Sequence, residues 1–501
     1  MESYELTPDE IRKVFAIGGS REQMVIPVEI VKQIRSAQKS APIQSVENVA
    51  NALSGAWKEW ILHAPHKILG YSARNVSGDL DAVVAGAPGA LKYVPESWRE
   101  LRQYFTGDRL SMSDDMTAAR DWSVIDSSMV AEELPDLHDM EAFRQLHETV
   151  SGKRSIANPT RWLDDYRRFV NTASNLRESI LRYAAFKHFK QQLEDGTLTH
   201  YGASRKASID AIHQSLGVDA AAAKMARELL GDYGAISVWG QWLRRTAVPF
   251  WSFQEINLRR YPALLRNAWE SGKFGGLAIS TPIKAAVIAS RIGWVYALWW
   301  MWNNLMRPDD EEDVADYHKD NPHITLGRTP DGRVLVFNNV GALGDFMEWF
   351  GLNELGSNLK RWRDGQLSSE AMLKEMGKAP VNKLYGGLGP FIKGMWEIPA
   401  GISFFPDVTK PRSIERDQEL ANVVGLAEEY QLVRGKVLGD GSSTRPHYWL
   451  RWVGLSTTHP GANALNSIHN SRELFLKQEG IETPTILKQS AFQKIKAAAE
   501  N

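Results

Sequence analysis

From Trp162 onward, apolar residues return at alternating three- and four-residue steps: Trp162, Tyr166, Phe169, Ala173, Leu176, Ile180 and Ala184. Only an α-helix, with about 3.6 residues per turn, gathers such positions on one side. The spacing predicts an amphipathic helix of about eight turns, opened by Asn158 and Pro159. Its opposite face is basic, with Arg167, Arg168, Arg177, Arg182, Lys187 and Lys190. An Ala-rich helix follows from Asp219 to Leu230, and Gly231 closes it as a C-terminal glycine does.

The apolar run from Pro282 to Met306 is the second strong constraint. Thr281 and Pro282 start it, Arg307 and Pro308 end it, and a helix of that length reaches about 38 Å. Its aromatic residues Trp294, Tyr296, Trp299, Trp300 and Trp302 crowd the C-terminal end, like an interfacial belt. Lys284 and Arg291 are seven apart and share a face. An arginine inside a bilayer costs roughly 2.5–3.5 kcal/mol on insertion scales. Two readings stay open: a buried core helix, or a membrane-active segment.

One β feature is well specified. Residues 324–328 and 333–337 alternate as short strands around Thr329, Pro330, Asp331 and Gly332, a tight-turn sequence. A hairpin from His323 to Phe337 is expected, packed on helices because a lone hairpin is marginal. The expected fold is therefore mainly α: a multi-helix assembly with one long apolar central helix and a small β-hairpin. The 501 residues exceed what one core usually serves. They divide into an N-terminal helical region (1–110), an acidic connector (111–157), a helical core with a basic and aromatic motif (158–275), the long apolar helix (276–308), an acidic loop with the hairpin (309–340), a C-terminal helical region (341–440) and a linker with a tail (441–501).

Composition narrows the function. Basic and acidic residues number 59 and 60, so the chain has no bulk pull towards nucleic acid or an anionic membrane, and any such partner needs a local patch. There is no cysteine, which excludes disulfides, thiolate metal sites and a thiol nucleophile. The acidic, polar N-terminus lacks the stretches of a signal peptide, which predicts synthesis in the cytosol. Tryptophan occurs 18 times, serving either as core plates or as interface anchors.

The densest stretch runs from Asp232 to Trp269. Arg244 and Arg245 precede Pro249, Phe250 and Trp251, followed by Asn257, Arg259, Arg260 and Tyr261. Arginines interleaved with aromatics can bind phosphate and stack bases, or they form a helix pair with a solvated basic face. The acidic run Asp309 to Asp313 lacks the glycine a calcium loop needs at its sixth place, which Val314 holds. No zinc-protease motif, nucleophile elbow or phosphate loop is present. No catalytic residue, cofactor site or metal site is expected.

The central block carries a resemblance. Ala226, Asp232, Tyr233, Gly234, Leu243, Arg244, Arg245, Pro249, Phe250, Trp251, Asn257 and Tyr261, followed by an apolar segment and a β segment, resemble the large polyvalent protein associated domain of phages and mobile elements, the variety numbered thirty-eight. Arg74, Asn75, Gly78 and Asp79 upstream, and Phe404 to Asp407 with Pro411 and Arg412 downstream, extend it over roughly residues 50–435. The resemblance implies a phage protein carried with DNA or lodged in the virion. Some such proteins resemble internal virion proteins ejected into the host envelope. The expectation is a non-enzymatic phage structural or ejection-associated protein in the virion interior or host cytoplasm, with the host membrane reached after ejection. Its partners would be other virion proteins or itself, with membrane contact open. The alternative is a nucleic-acid-associated packing protein using the basic and aromatic block. An unrecognised enzyme ranks last.

Overall fold

The computed structural model describes, with short gaps, residues 54–106, 112–125, 159–271, 286–338 and 341–433, together with strands Ser3–Glu5, Val25–Pro27 and Leu455–Thr458. Thr7 and Pro8, most of the acidic connector, Thr281, Pro282, Lys284, Trp294, the 442–446 linker and the Lys- and Ala-rich tail lie outside the described residues. The protein is mainly helical and forms two compact units: Met1–Glu59 with Asn75–Gly293, and Trp60–Arg74 with Trp294–Asn501.

The first unit contains the strand pair β1 (Ser3–Glu5) and β2 (Val25–Pro27), antiparallel, and the C-terminal half of α1 (Pro65–Gly86). Then come α2 (Val94–Thr106), α3 (Asp114–Asp121), α4 (Pro159–Glu194), α5 (Lys206–Leu216), α6 (Val218–Leu230), α7 (Val238–Thr246) and α8 (Trp251–Ser271). The long helix predicted from its period is α4, at 36 residues. Small residues decide its packing. Ala220 to Ala223 and Ala226 on α6 are all buried, so the two backbones come close. Gly86 serves the same end, since a Cβ there would collide with Leu229 and Leu264.

The inward face of α4 is not simply the apolar one. Phe169 is exposed, whereas Arg182 and Lys187 are buried beside Tyr183, Phe186 and Phe189. Burying charge this way requires partners, and α2, α3 and α6 supply them. Lys187 Nζ donates to Glu96 Oε1 at 2.8 Å and Glu100 Oε1 at 2.7 Å. Lys190 Nζ reaches Asp115 Oδ1 and Asp219 Oδ1, each at 2.8 Å. Ser113 caps α3 by accepting from Met116 N at 3.2 Å, and its hydroxyl donates to Glu100 Oε2 at 2.7 Å.

The second unit holds helical residues 61–63 and the N-terminal half of α1, and after Trp294 its described course resumes with helical residues 296–301 and a π-turn, Trp302–Met306. There follow α9 (Pro308–Glu312), α10 (Asp316–Lys319), strands β3 (His323–Arg328) and β4 (Val334–Asn338), and helices α11 (Leu343–Glu348), α12 (Leu355–Arg363), α13 (Ser369–Gly387) and α14 (Pro390–Ala400). Short strands β5 (Ile402–Ser403) and β6 (Arg412–Ser413), α15 (Arg416–Val423) and β7 (Leu455–Thr458) complete it. The hairpin stands where expected. Its turn is closed by Gly332 N donating to Thr329 O at 2.9 Å, with Gly332 at φ +82°. β7 adds to the far edge of β4, giving a three-stranded antiparallel sheet whose Val334 and Val336 pack on Val314.

The expected long apolar helix is corrected. Among the described residues no helix is long and apolar enough to cross a membrane. Ala286, Ser290, Arg291 and Gly293 are helical, but the run leaves α geometry at Trp302. The physical reason is a polar anchor. The wider turn places Asn303 against β3, where Nδ2 donates to His323 O and Oδ1 accepts from Thr325 N, both at 2.9 Å. Trp302 Nε1 donates to Thr325 O at 2.9 Å. The segment thus satisfies backbone groups of a strand.

Candidate contact surfaces

The basic and aromatic block folds into a corner between α7 and α8. Pro249 is buried and fixes the approach, and Phe250 takes the left-handed region at φ +64°, a conformation costing about 1–3 kcal/mol for a residue with a side chain. Its ring meets Trp57 at 6.1 Å between centroids, with Lys58 Nζ 5.9 Å from the ring centre. Trp251, half-buried, donates from Nε1 to Glu255 Oε2 at 3.0 Å. Glu255 also accepts from Ser237 N at 2.7 Å and Ser237 Oγ at 3.0 Å, and it pairs with Arg259. Tyr261 and Asn257 are buried, and Arg245 is exposed at the end of α7.

The remaining arginines turn inward. Arg182 Nη2 donates to Leu230 O at 3.2 Å, Arg260 Nη1 to Leu229 O at 3.3 Å and Arg244 Nη1 to Tyr233 O at 3.4 Å. All three reach the carbonyl end of α6 or the turn just past it. The last carbonyls of a helix lack helical partners and carry the negative end of its dipole. Side chains from α4, α7 and α8 therefore cap α6 together. Arg260 also bonds Asn257 Oδ1, and the Arg182 guanidinium lies 5.5 Å from the Tyr233 ring centre.

Beside these arginines stands the carboxylate of Asp79, which the sequence reading named only as part of the upstream resemblance. Burial pushes Asp79 up to about 7; Arg182 opposes this, Glu178 adds to it, and Arg260 and Arg177 oppose it. Burial likewise holds the Tyr233 phenol far above its ordinary range. The signal for such a centre is an acid on the small-residue helix α1 facing arginines from distant helices, which one sequence does not reveal.

In the second unit, Leu298, Trp300, Met301, Trp302, Leu305 and Met306 are all exposed, with Trp300 at 62% and Met306 at 66%. Trp299 is half-buried, and so is Arg291, which belongs to the first unit. The acidic run after them is structural. Arg328 Nε donates to Asp310 Oδ1 and Nη2 to Asp313 Oδ2, each at 2.7 Å. Glu311 accepts from His323 Nε2 at 3.1 Å and from Thr325 Oγ1 at 2.7 Å. Burial would raise the Glu311 carboxyl, but bonding and charge from His323, with the Thr325 bond, hold it below its ordinary range. Glu311→Ala should cost about 2–3 kcal/mol, because two buried donors lose their acceptor. Urea unfolding followed on the second unit checks it, and a loss well under 1 kcal/mol would refute it.

The nearest approach to acid–base chemistry among the described residues joins α13 and α14. Glu397 is buried and accepts from Tyr385 Oη and Phe404 N, each at 2.7 Å. Burial holds Lys393 below its ordinary range, against the pull of Glu397 and Glu419. Its ammonium donates to Gly386 O at 2.7 Å. These groups are committed to one another and to backbone, an arrangement that clamps two helices. Among the described residues no group of three or more His, Asp or Glu side chains could hold a metal ion. Comparison with protein-family models, curated proteins and solved structures finds no match to this chain.

Proposed function

We propose that this protein acts by contact and not by chemistry, as a structural or ejection-associated component of a phage, resident in the virion interior or the host cytoplasm. One observation carries the reading: six large apolar side chains between Leu298 and Met306 stand in water. An exposed apolar patch of this kind marks a surface that another protein covers. Other virion proteins or a second copy of this chain fit it, and the phage setting rests on the resemblance of the central block. The nucleic-acid alternative is weakened by Arg244 and Arg260, whose guanidiniums serve backbone carbonyls in the interior.

The test replaces Trp300, Leu305 and Met306 by Ser together. The full chain should assemble with itself or with particle proteins in sedimentation velocity. The triple variant should keep its helical circular dichroism yet lose at least about tenfold in association, as removal of central apolar anchors does. A wild-type chain that stays monomeric at every concentration, with and without particle proteins, would remove the reading.

A further inference from the structure

The first unit presents a different apolar surface on α7. Val238 is 85% exposed, Trp239 75% and Trp242 45%. Trp242 lies four residues after Val238 and three after Trp239, so it neighbours both on the helix surface. The two indoles meet edge to face with centroids 6.1 Å apart. The inner face is fixed. Gly240 presses so closely on Glu255 that a Cβ there would collide with the carboxylate. The cap residue Ser237 donates to that same carboxylate from N and Oγ. Its mounting on α8 holds α7 with its aromatic face outward.

The segment that carries that face has no acid of its own. No acid occurs between Asp232 and Glu255. Asp232 pairs with Arg227 at 3.4 Å, and Glu255 pairs with Arg259. Arg245 is exposed at the end of the helix, while Arg259 on α8 is matched by Glu255, with Asp232 and Glu228 near it. Tryptophan beside arginine suits the boundary between phospholipid headgroups and acyl chains, where the ring is half in hydrocarbon and the cation meets phosphate. A nucleic-acid surface would instead use the arginines as its main contacts, and two of them cap α6.

We propose that α7 is an interfacial foot that seats this protein on an anionic phospholipid surface, with Val238, Trp239 and Trp242 at the acyl boundary and Arg245 among the phosphates. The proposal is independent of the contact role assigned to residues 298–306. One short helix gives reversible binding, so the affinity should be modest and sensitive to salt.

The cysteine-free chain makes the test direct. Trp239→Cys creates a unique thiol for a polarity-sensitive dye, and Leu305→Cys gives the same reporter on the second unit. Vesicles of equal parts phosphatidylserine and phosphatidylcholine are compared with pure phosphatidylcholine. The dye at position 239 should shift to the blue on the anionic vesicles only. In co-sedimentation, Trp239→Ser with Trp242→Ser should weaken binding by about tenfold or more from the lost apolar area, and Arg245→Gln by about fivefold. Unchanged circular dichroism establishes that the variants fold. Absence of vesicle binding, binding that survives loss of both tryptophans, or a dye response only at position 305 would overturn the proposal. So would a response at position 239 elicited by nucleic acid or by an unlabelled second copy in place of lipid.

Discussion

Lys187→Met should destabilise the first unit by about 3–5 kcal/mol, the range for removing one partner of a buried ion pair. Lys187 is 6% exposed and supplies cationic donors to Glu96 and Glu100. Without it, Glu100 keeps only neutral donors: Tyr183 Oη at 2.5 Å and Ser113 Oγ at 2.7 Å. Burial acts to raise the Glu100 carboxyl, and bonds from Lys187, Tyr183 and Ser113 outweigh it, so the group sits below its ordinary range. A depressed carboxylate contributes stability at neutral pH that is lost as pH falls through its folded value. The variant should therefore lose less on acidification than the parent. Combining Lys187→Met with Glu100→Gln should recover part of the loss, because both buried charges then go. Urea unfolding of the single and double variants measures this. A single-variant loss under about 1 kcal/mol would show that the ammonium is dispensable.

The opposite slope is expected from Asp79, whose carboxyl rises from 3.8 to about 7 in the fold. Below both values the folded and unfolded chains each hold the proton. Between them the unfolded chain releases it and the folded chain retains it, so stability falls as pH rises. The ideal contribution of this shift is about 4 kcal/mol. Residual exposure of Asp79 trims the expectation to about 2–4 kcal/mol. Asp79→Asn carries no such proton. It should be close to the parent in stability near pH 4 and more stable near pH 8, with the difference opening across the interval. Unfolding midpoints for both chains over that range give the answer, and parallel curves would place the proton elsewhere.

Period and turn chemistry made the backbone of the fold legible. The steps from Trp162 to Ala184 located α4, Gly231 located the end of α6, and residues 329–332 located the hairpin. What stayed hidden was decided by distant residues. The basic side of α4 turns inward because Glu96, Glu100, Asp115 and Asp219 wait for it on three other helices. No local pattern announces such partners. β7 joins β4 from more than a hundred residues along the chain. The π-turn at Trp302–Met306 follows from Asn303 serving β3, a bond between segments each readable alone. Of the candidate surfaces, the concentration of Trp and Arg was visible, but not which arginines were spent in the interior. Pro249 promised a bend, and the left-handed Phe250 beyond it was unannounced.

The carbonyl end of α6 works as a hub. Arg182, Arg244 and Arg260 are spokes from three helices, and each grips a separate carbonyl within the span from Leu229 to Tyr233. One spoke belongs to α7, the helix whose outer side bears Trp239. A force applied to that outer side is transmitted through Arg244 to the point where α4 and α8 are also moored. Seating or lifting α7 would thus load the centre of the unit as well as its rim.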